Sequence, residues 1–475
     1  MPRDLDGTYE RILCSIADEY VEDVQRVLTV LCFSTRPLTV EELIDAHAVD
    51  LGESPHLDRG RSYEQDDLVD ICLGLIEIAV TENENGQETS TARIAHFSVL
   101  EYLQSDRILQ GNAKRFAIRS APANTEITQI CLVYLLEPML SSGALEITKL
   151  REFPLAHFAA MHWYHHYGNS GEWRPKIEQL LLELFKNDKG PFTTWIRLHD
   201  MDFPEPLIQD ELPTDNMASP LYYAALLGLD SVINYITKFS IRDANLRETV
   251  NIQGGRYGNA LQAASSGGHE KVVQRLLDQG ADINAQGGRY GSALQAASSE
   301  GHEKVVQRLL DQGADINAQG GYFGNALQAA SFRGHEKVIH MLLDHGADIN
   351  AQDEYLGNAL QAASLRGHEK AVQILLSKGA DVNAHGGDYG SALQAASLRG
   401  HEKVVQILLS KDADVNAHGG YFGNSLEAAS SGGHEKVVQM LLDRGVRYTN
   451  ICYPEVGTYA SFPPDDRRMH CIVHD

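Results

Sequence analysis

Positive charge is scarce in this chain: 40 Lys and Arg stand against 65 Asp and Glu over 475 residues, and before residue 219 the count is 18 against 37. A phosphate backbone needs a basic footprint, so this balance argues against nucleic acid as a partner. Cysteine is equally sparse. Cys14, Cys32, Cys72, Cys131, Cys452 and Cys471 form no C-x-x-C pair and keep no regular spacing, which predicts reduced thiols and excludes a disulfide framework. No basic patch followed by an apolar run opens the chain, and the longest apolar stretch, Ile127 to Leu140, is broken by Gln129, Glu137 and Pro138. The expectation is a soluble, cytoplasmic protein with no membrane span.

The motifs of common catalysts are missing as well. There is no G-x-x-x-x-G-K-[ST] to cradle a triphosphate, no G-x-S-x-G elbow and no G-x-G-x-x-G opening a helix after a strand. A recurring His-Glu invites comparison with H-E-x-x-H, but four residues after His269 stands Val273, and His335 reaches His340 only at five. On a helix that spacing turns the second imidazole away from the first. The expectation is a non-enzymatic chain without cofactor or metal. At 43% hydrophobic residues it is long enough for two or three cores.

What the chain does hold is a block that returns every 33 residues. Gly258-Asn259-Ala260-Leu261-Gln262-Ala263-Ala264 reappears, nearly letter for letter, at Gly291, Gly324, Gly357, Gly390 and Gly423, each time followed by a Gly-His-Glu-Lys turn. A fixed period of this length means stacked supersecondary units. Ala260, Leu261, Ala263 and Ala264 lay a small-residue stripe on a first short helix, and Gly268 breaks it. Val272, Val273, Leu276 and Leu277 recur at helical spacing on a second helix, and Gly280 stands where a left-handed terminal residue is wanted. Neither helix can bury its apolar face within one unit, so stability must come from neighbours. The repeated histidine is expected to bond within its own turn.

This block resembles the ankyrin repeat, whose pattern runs Thr-Pro-Leu-His-x-Ala, Gly-His, then Leu-Leu-x-x-Gly-Ala-x-x-Asn-Ala. Asn259 to Gln262 replaces the opening tetrapeptide, while Gly268-His269, Leu276-Leu277, Gly280-Ala281 and Asn284-Ala285 are in register. A worn copy begins at Ser219-Pro220-Leu221, offset by a seven-residue insertion near 240–250, which makes seven units over 219–447.

Ahead of the repeats, helical stripes (Tyr9, Ile12, Leu13, Ile16; Val24, Val27, Leu28, Leu31) precede a capping-box pattern, Thr39-Val40-Glu41-Glu42, and a further helical run from Leu68 to Leu75. An alternating strand through Ile76, Ile78 and Val80, an Asn85-Gly86 turn and a strand through Ile94 complete a hairpin. Three helices and a wing predict a winged helix over 1–110. Glu41, Glu42 and Asp45 on its third helix would repel DNA. The runs Asp6 to Leu13, Leu31 to Ser34, Arg36 to Thr39 and Ala95 to Leu103 resemble the winged-helix segment that follows the NACHT ATPase in fungal NLR-like proteins, related to one named for GPI inositol-deacylase. The resemblance implies that His96 stands where a histidine reaches nucleotide phosphates. The residues alone read it as a histidine hydrogen-bonded in the core, with Ser98 and Glu101 capping the next helix. Since no P-loop is present, the chain reads as a piece beginning after the ATPase or as a descendant that lost it.

Residues 113–218 read as a helical connector shielding the first repeat. It carries Ile127, Ile130, Cys131, Tyr134 and Leu135 on one stripe and Ile177, Leu180, Leu181, Leu184 and Phe185 on another, and Pro204, Pro206 and Pro213 mark a loop. His157, His162, His165 and His166 cluster there at no common zinc spacing. Residues 448–475 read as an irregular tail. The fold class is mainly α: winged helix, helical connector, ankyrin solenoid.

Because the copies are nearly identical, the places where they differ are informative. One class is the end of the first helix: Ser266-Gly267, Ser299-Glu300, Phe332-Arg333, Leu365-Arg366, Leu398-Arg399 and Ser431-Gly432. The other is the loop tip: Arg256, Arg289, Tyr322, Tyr355, Asp388 and Tyr421. The ankyrin resemblance implies that both line a concave face. An exposed apolar row, Phe332, Leu365 and Leu398, beside an arginine row, Arg333, Arg366 and Arg399, is the expected binding surface for a protein partner with an acidic segment. The expected function is a sensor or recognition module of a fungal NLR-like protein. The alternatives are a free-standing ankyrin adaptor, for example of a ubiquitin ligase, and a nucleotide switch acting through His96 with an ATPase in trans.

Overall fold

The two stripes at the start of the chain become α1 (Arg3–Cys14) and α2 (Val21–Phe33) in the computed structural model, with Leu13, Val24, Val27 and Leu28 fully buried. The structure describes residues 3–446 apart from 62, 83–87, 143–144, 146, 187–189, 203–216 and 243–245. The Asn85-Gly86 turn, the proline loop before the repeats and the tail therefore lie outside the described residues. Two compact units are present, divided between Tyr322 and Phe323.

In the first unit, β1 (Leu38–Thr39) leads into α3 (Val40–Ala48). The cap forms as expected: Glu42 N–H donates to Thr39 Oγ1 at 3.1 Å, and Thr39 N–H returns to the Glu42 carboxylate at 2.8 Å. Arg36 clamps the same carboxylate with two nitrogens, at 2.8 and 2.5 Å. A short ladder, β2 (Val49–Asp50) with β3 (His56–Leu57), precedes α4 (Gln65–Ile71). That helix stops four residues short of the expected Leu75, because Leu73 and Gly74 turn left-handed with φ of 50° and 78°. Strands β4 (Ile76–Glu82) and β5 (Glu88–Ile94) form the wing, and β1 joins them in the antiparallel order β1-β5-β4. With α5 (Phe97–Gln104) this is a winged helix.

The connector comprises α6 (Ser120–Leu135), α7 (Pro138–Ser141), α8 (Ile147–Leu150), α9 (Ala156–Asn169), α10 (Glu178–Phe185) and α11 (Pro191–Leu198). Its core is aromatic. Trp163 and Trp195 are fully buried with ring centroids 5.4 Å apart, and Trp195 Nε1 donates to the Ala160 carbonyl at 3.1 Å. Arg26 of the winged helix reaches across to Glu126 at 3.3 Å, and the Tyr134 hydroxyl donates to Asp45. Of the connector histidines, His166 is buried with Nδ1 2.7 Å from Asn124 Oδ1, the His162 ring lies 4.7 Å from that of Phe158, and His157 and His165 are exposed.

The periodic block folds into helix pairs. The first unit holds α12 (Pro220–Leu226) with α13 (Asp230–Arg242), then α14 (Leu246–Val250) in the insertion, α15 (Ala260–Ser266) with α16 (Glu270–Asp278), and α17 (Ala293–Glu300) with α18 (Glu303–Asp311). The second unit holds α19 (Ala326–Arg333) with α20 (Glu336–Asp344), α21 (Ala359–Arg366) with α22 (Glu369–Ser377), α23 (Ala392–Leu398) with α24 (Glu402–Ser410), and α25 (Ser425–Ser431) with α26 (Glu435–Asp443). The alanine stripe makes this stacking possible: Ala263, Ala264, Ala362 and Ala363 are fully buried.

One polar contact within each copy and two between copies explain letters of the repeat. The residue in the position of the family's Thr, Asn259 or Asn358, caps the first helix at 2.9 Å. Its Gln then donates into the following loop: Gln262 to the carbonyls of Gly287 and Gly291 at 3.1 and 2.7 Å, Gln361 to those of Gly386 and Gly390 at 3.0 and 2.8 Å. An Asn accepts from the backbone of the next copy, Asn251 from Asp282 at 2.7 Å and Asn350 from Asp381 at 2.9 Å.

The histidine does not bond within its own turn. Its Nε2 donates to a first-helix carbonyl of the preceding copy: His269 to Leu226 at 2.9 Å, His302 to Ser266 at 2.8 Å, His368 to Phe332 at 3.0 Å, His401 to Leu365 at 3.1 Å and His434 to Leu398 at 2.9 Å. Room for each ring comes from a glycine one copy earlier. A Cβ on Gly367, which has φ of 74°, would stand 2.5 Å from His401 Nδ1. Burial lowers the proton affinity of His269, His368 and His401, holding the rings neutral.

Candidate partner-binding face

Within each unit the later loop tips are each hung on the one before by a backbone hydrogen bond, so the variable tip residues of that unit stand in a row. In the first unit Arg289 N–H donates to the Arg256 carbonyl and Tyr322 N–H to that of Arg289, both at 2.8 Å. In the second, Asp388 N–H donates to Tyr355 at 3.0 Å and Tyr421 N–H to Asp388 at 2.9 Å. Glycine is required beside the tips: a Cβ on Gly288, at φ of 61°, would fall 2.1 Å from the Tyr257 carbonyl carbon.

The residue after each tip forms a third variable class, Tyr257, Tyr290, Phe323, Leu356, Tyr389 and Phe422, and it escapes a reading of the sequence by exposure alone. Its signal is that every copy holds an aromatic or a leucine there. Tyr257 and Tyr290 stack with centroids 5.7 Å apart and planes 12° from parallel. Tyr290 donates to Glu300 at 2.7 Å, which brings one tip-flanking ring together with the variable end of a first helix. Arg289 lies over the Tyr322 ring at 5.9 Å.

In the second unit the expected exposed apolar row is corrected. Phe332 and Leu365 are only 2% and 3% exposed, and Leu398 is half-buried. Phe332 lies against Phe323 at 5.2 Å, and the Arg366 guanidinium covers it from 5.0 Å. Arg333 similarly lies over Phe323 at 6.0 Å. The physical reason is that a variable large residue at the helix end meets a variable large residue after the tip, and the two bury each other. The surface is therefore polar and aromatic. Arg366, Arg399 and Tyr421 are exposed, Tyr421 by 75%, while Arg333, Tyr355 and Asp388 are half-buried. Tyr355 and Tyr389 meet edge to face at 6.0 Å. A guanidinium laid on a ring is held in place by the ring face.

His96 is committed locally. It is the N-cap of α5: Nδ1 accepts from Ser98 N–H at 3.1 Å and stands 2.5 Å from Ser98 Oγ, which in turn meets the Tyr9 hydroxyl at 2.5 Å. The expected Ser98–Glu101 capping box is replaced by this histidine cap, because Ser98 is buried against Tyr9 while Glu101 pairs with Arg107 at 3.2 Å. The ring itself is exposed, contrary to a core placement. Among the described residues, no three His, Cys, Asp or Glu side chains are disposed to hold a metal ion, and no helix is long and apolar enough to cross a membrane.

Comparison with known proteins matches the ankyrin-repeat family over residues 221–320, 261–353, 294–386 and 360–451. The winged helix domain of GPI inositol-deacylase matches residues 9–119. A curated relative, azaphilone pigments biosynthesis cluster protein L of Monascus ruber, is 66% identical over 287 residues, which is 60% of this chain. The match spans 60% of that relative's length. Among solved structures, the human ASB11 ankyrin repeat domain is 25% identical and superposes with a TM-score of 0.42, covering 49% of this chain and 100% of its own.

Proposed function

We propose that this chain, which carries ankyrin repeats behind a winged helix of the GPI inositol-deacylase type, is a non-catalytic cytoplasmic recognition module whose loop tips and first-helix ends hold a protein partner. One observation carries the reading. The residues that bond copy to copy hardly change along the array, whereas the loop tips and the ends of the first helices do. Ankyrin repeats mediate protein contacts, and a face of Arg333, Arg366, Arg399, Tyr355 and Tyr421 fits a partner segment with carboxylates. Asp388 within it would set register by repelling a misplaced acid.

The winged helix, connector and repeats follow one another as in the C-terminal part of fungal NACHT-ankyrin proteins, which supports a sensor role in an NLR-like signalling protein. The Monascus ruber relative is named for a pigment biosynthesis cluster, so a partner from such a cluster is a natural first candidate. Quantitative pull-down with the full chain tests the face. Arg333, Arg366 and Arg399 changed together to Ala should remove partners that Lys370, Lys403 and Lys436 changed to Ala retain; identical partner sets would remove the proposal. Transcript sequencing upstream of Met1 tests the context: a P-loop frame supports the NLR reading, and a stop codon in frame leaves a free-standing adaptor.

A further inference from the structure

We propose that a groove in the winged helix, between the turn that follows α1 and the end of α4, is a second docking site, for a protein segment whose apolar side chains are flanked by lysine or arginine. One wall is formed by Ser15, Ile16, Ala17 and Tyr20, the other by Tyr63, Asp67, Asp70, Ile71 and Leu73, around a volume of about 560 Å³. Tyr63 is fixed in place by its hydroxyl, which donates to Asp23 at 2.7 Å, and Asp23 also receives His47 at 2.9 Å.

Two independent observations point to a ligand. The first is Leu73. It is 45% exposed and sits at φ of 50°, in the left-handed region that leucine rarely enters. Asparagine or glycine there would relieve both the strain and the solvent-exposed apolar surface, so the leucine earns no folding advantage from its position. Tyr20 across the groove is also exposed, at 36%. The second is charge. Asp67 and Asp70 line the groove, exposed Glu19 adjoins it together with Asp18, which Arg115 pairs at 3.0 Å, and no Lys or Arg is among its lining residues. Residues 1–100 hold 7 Lys and Arg against 21 Asp and Glu. An apolar floor with an acidic rim fits an apolar anchor between cations, and the long-range field speeds its approach.

The test uses fluorescein-labelled octapeptides with two central positions varied over Leu, Ile, Phe and Met between Lys-Arg flanks, titrated into the full chain by anisotropy. At least one such peptide should bind, and binding should weaken with salt. Leu73→Asn, which suits the left-handed backbone and so keeps the fold, should weaken it about tenfold or more, the scale of an anchor residue. Asp67→Asn with Asp70→Asn should do the same and flatten the salt dependence. Arg333, Arg366 and Arg399 changed to Ala should leave it unaltered, which separates this site from the repeat face. Absence of binding by every peptide, equal binding of Glu-flanked versions, or unaltered affinity in Leu73→Asn would each overturn the proposal.

Discussion

The first repeat and the later ones solve the same packing problem with different residues. Where later copies place Gln262 and Ala263, the first has Tyr222 and Tyr223, both fully buried. Tyr223 meets Phe192 and Trp195 of the connector at 5.8 and 6.0 Å and donates to Asp200 at 2.9 Å. Tyr222 takes over the role of Gln262: its hydroxyl accepts from Tyr257 N–H at 3.1 Å in the next loop and donates to Asp202 at 2.8 Å. Asp202, 1% exposed, also accepts from Arg256 N–H at 2.7 Å. The connector's Tyr164 adds a bond to the Leu227 carbonyl at 3.0 Å. The worn look of the first copy is therefore adaptation. A repeat with a repeat on only one side trades small residues for aromatic ones that fit a different neighbour.

The sharpest way to break the later copies without touching the first is Gly367→Ala. Its Cβ would collide with the His401 ring and force a positive φ, so a loss of about 3 kcal/mol is expected in urea unfolding of the full chain. Gly346→Ala shares the positive φ but has nothing within 4 Å, and should cost about 1 kcal/mol. The first copy breaks instead at Asp202→Ala, expected to cost about 2 kcal/mol by stranding the Tyr222 hydroxyl and Arg256 N–H. Burial raises the Asp202 carboxyl above its ordinary 3.8. The folded state therefore takes up that proton first; the stability this group confers is full below 3.8 and is lost as pH rises through the raised value. In Asp202→Asn that part of the pH profile should be missing.

The later copies respond to acid in the opposite sense. His368 and His401 have proton affinities lowered by burial below the ordinary 6.5. Their contribution is present above 6.5 and lost as pH falls through the lowered values. A double His368→Gln, His401→Gln variant should show a smaller fall in urea midpoint between neutral and acid pH than the parent chain. The smallest effect belongs to the ion pairs of the second helices. Lys403 meets Glu369 at 3.2 Å with its side chain 74% exposed, and Lys403→Ala should change stability by no more than about 0.5 kcal/mol.

Much of this architecture was legible because the 33-residue period displays which letters matter. Helix pairs, left-handed glycines and the Thr39 cap follow from local chemistry that each segment carries within itself. The histidine's partner did not follow. It lies 36 residues back in the copies after the insertion, one period and three residues, and in an array of near-identical copies a bond to the neighbour and a bond at home leave the same letters. The burial of Phe332 and Leu365 was hidden for a related reason. Variation suggests exposure, yet Phe332 varies together with Phe323, nine residues earlier, and only contact reveals that such a pair is a small core. The Leu73 turn was missed because the apolar run from Leu68 to Leu75 has helical spacing up to the residue where the backbone reverses.

The recurring Gln, Asn and His bonds that join copies reach forward or back by a fixed count of residues into a neighbour with the same letters. Removing or adding one whole 33-residue block restores the recurring Gln, Asn and His donors and acceptors, since Gln361 would find in a shifted copy the glycine carbonyls it finds now. The gene can therefore lengthen or shorten the array by recombination between copies without redesigning a single joint. Copy number becomes an inheritable dial on the length of the array.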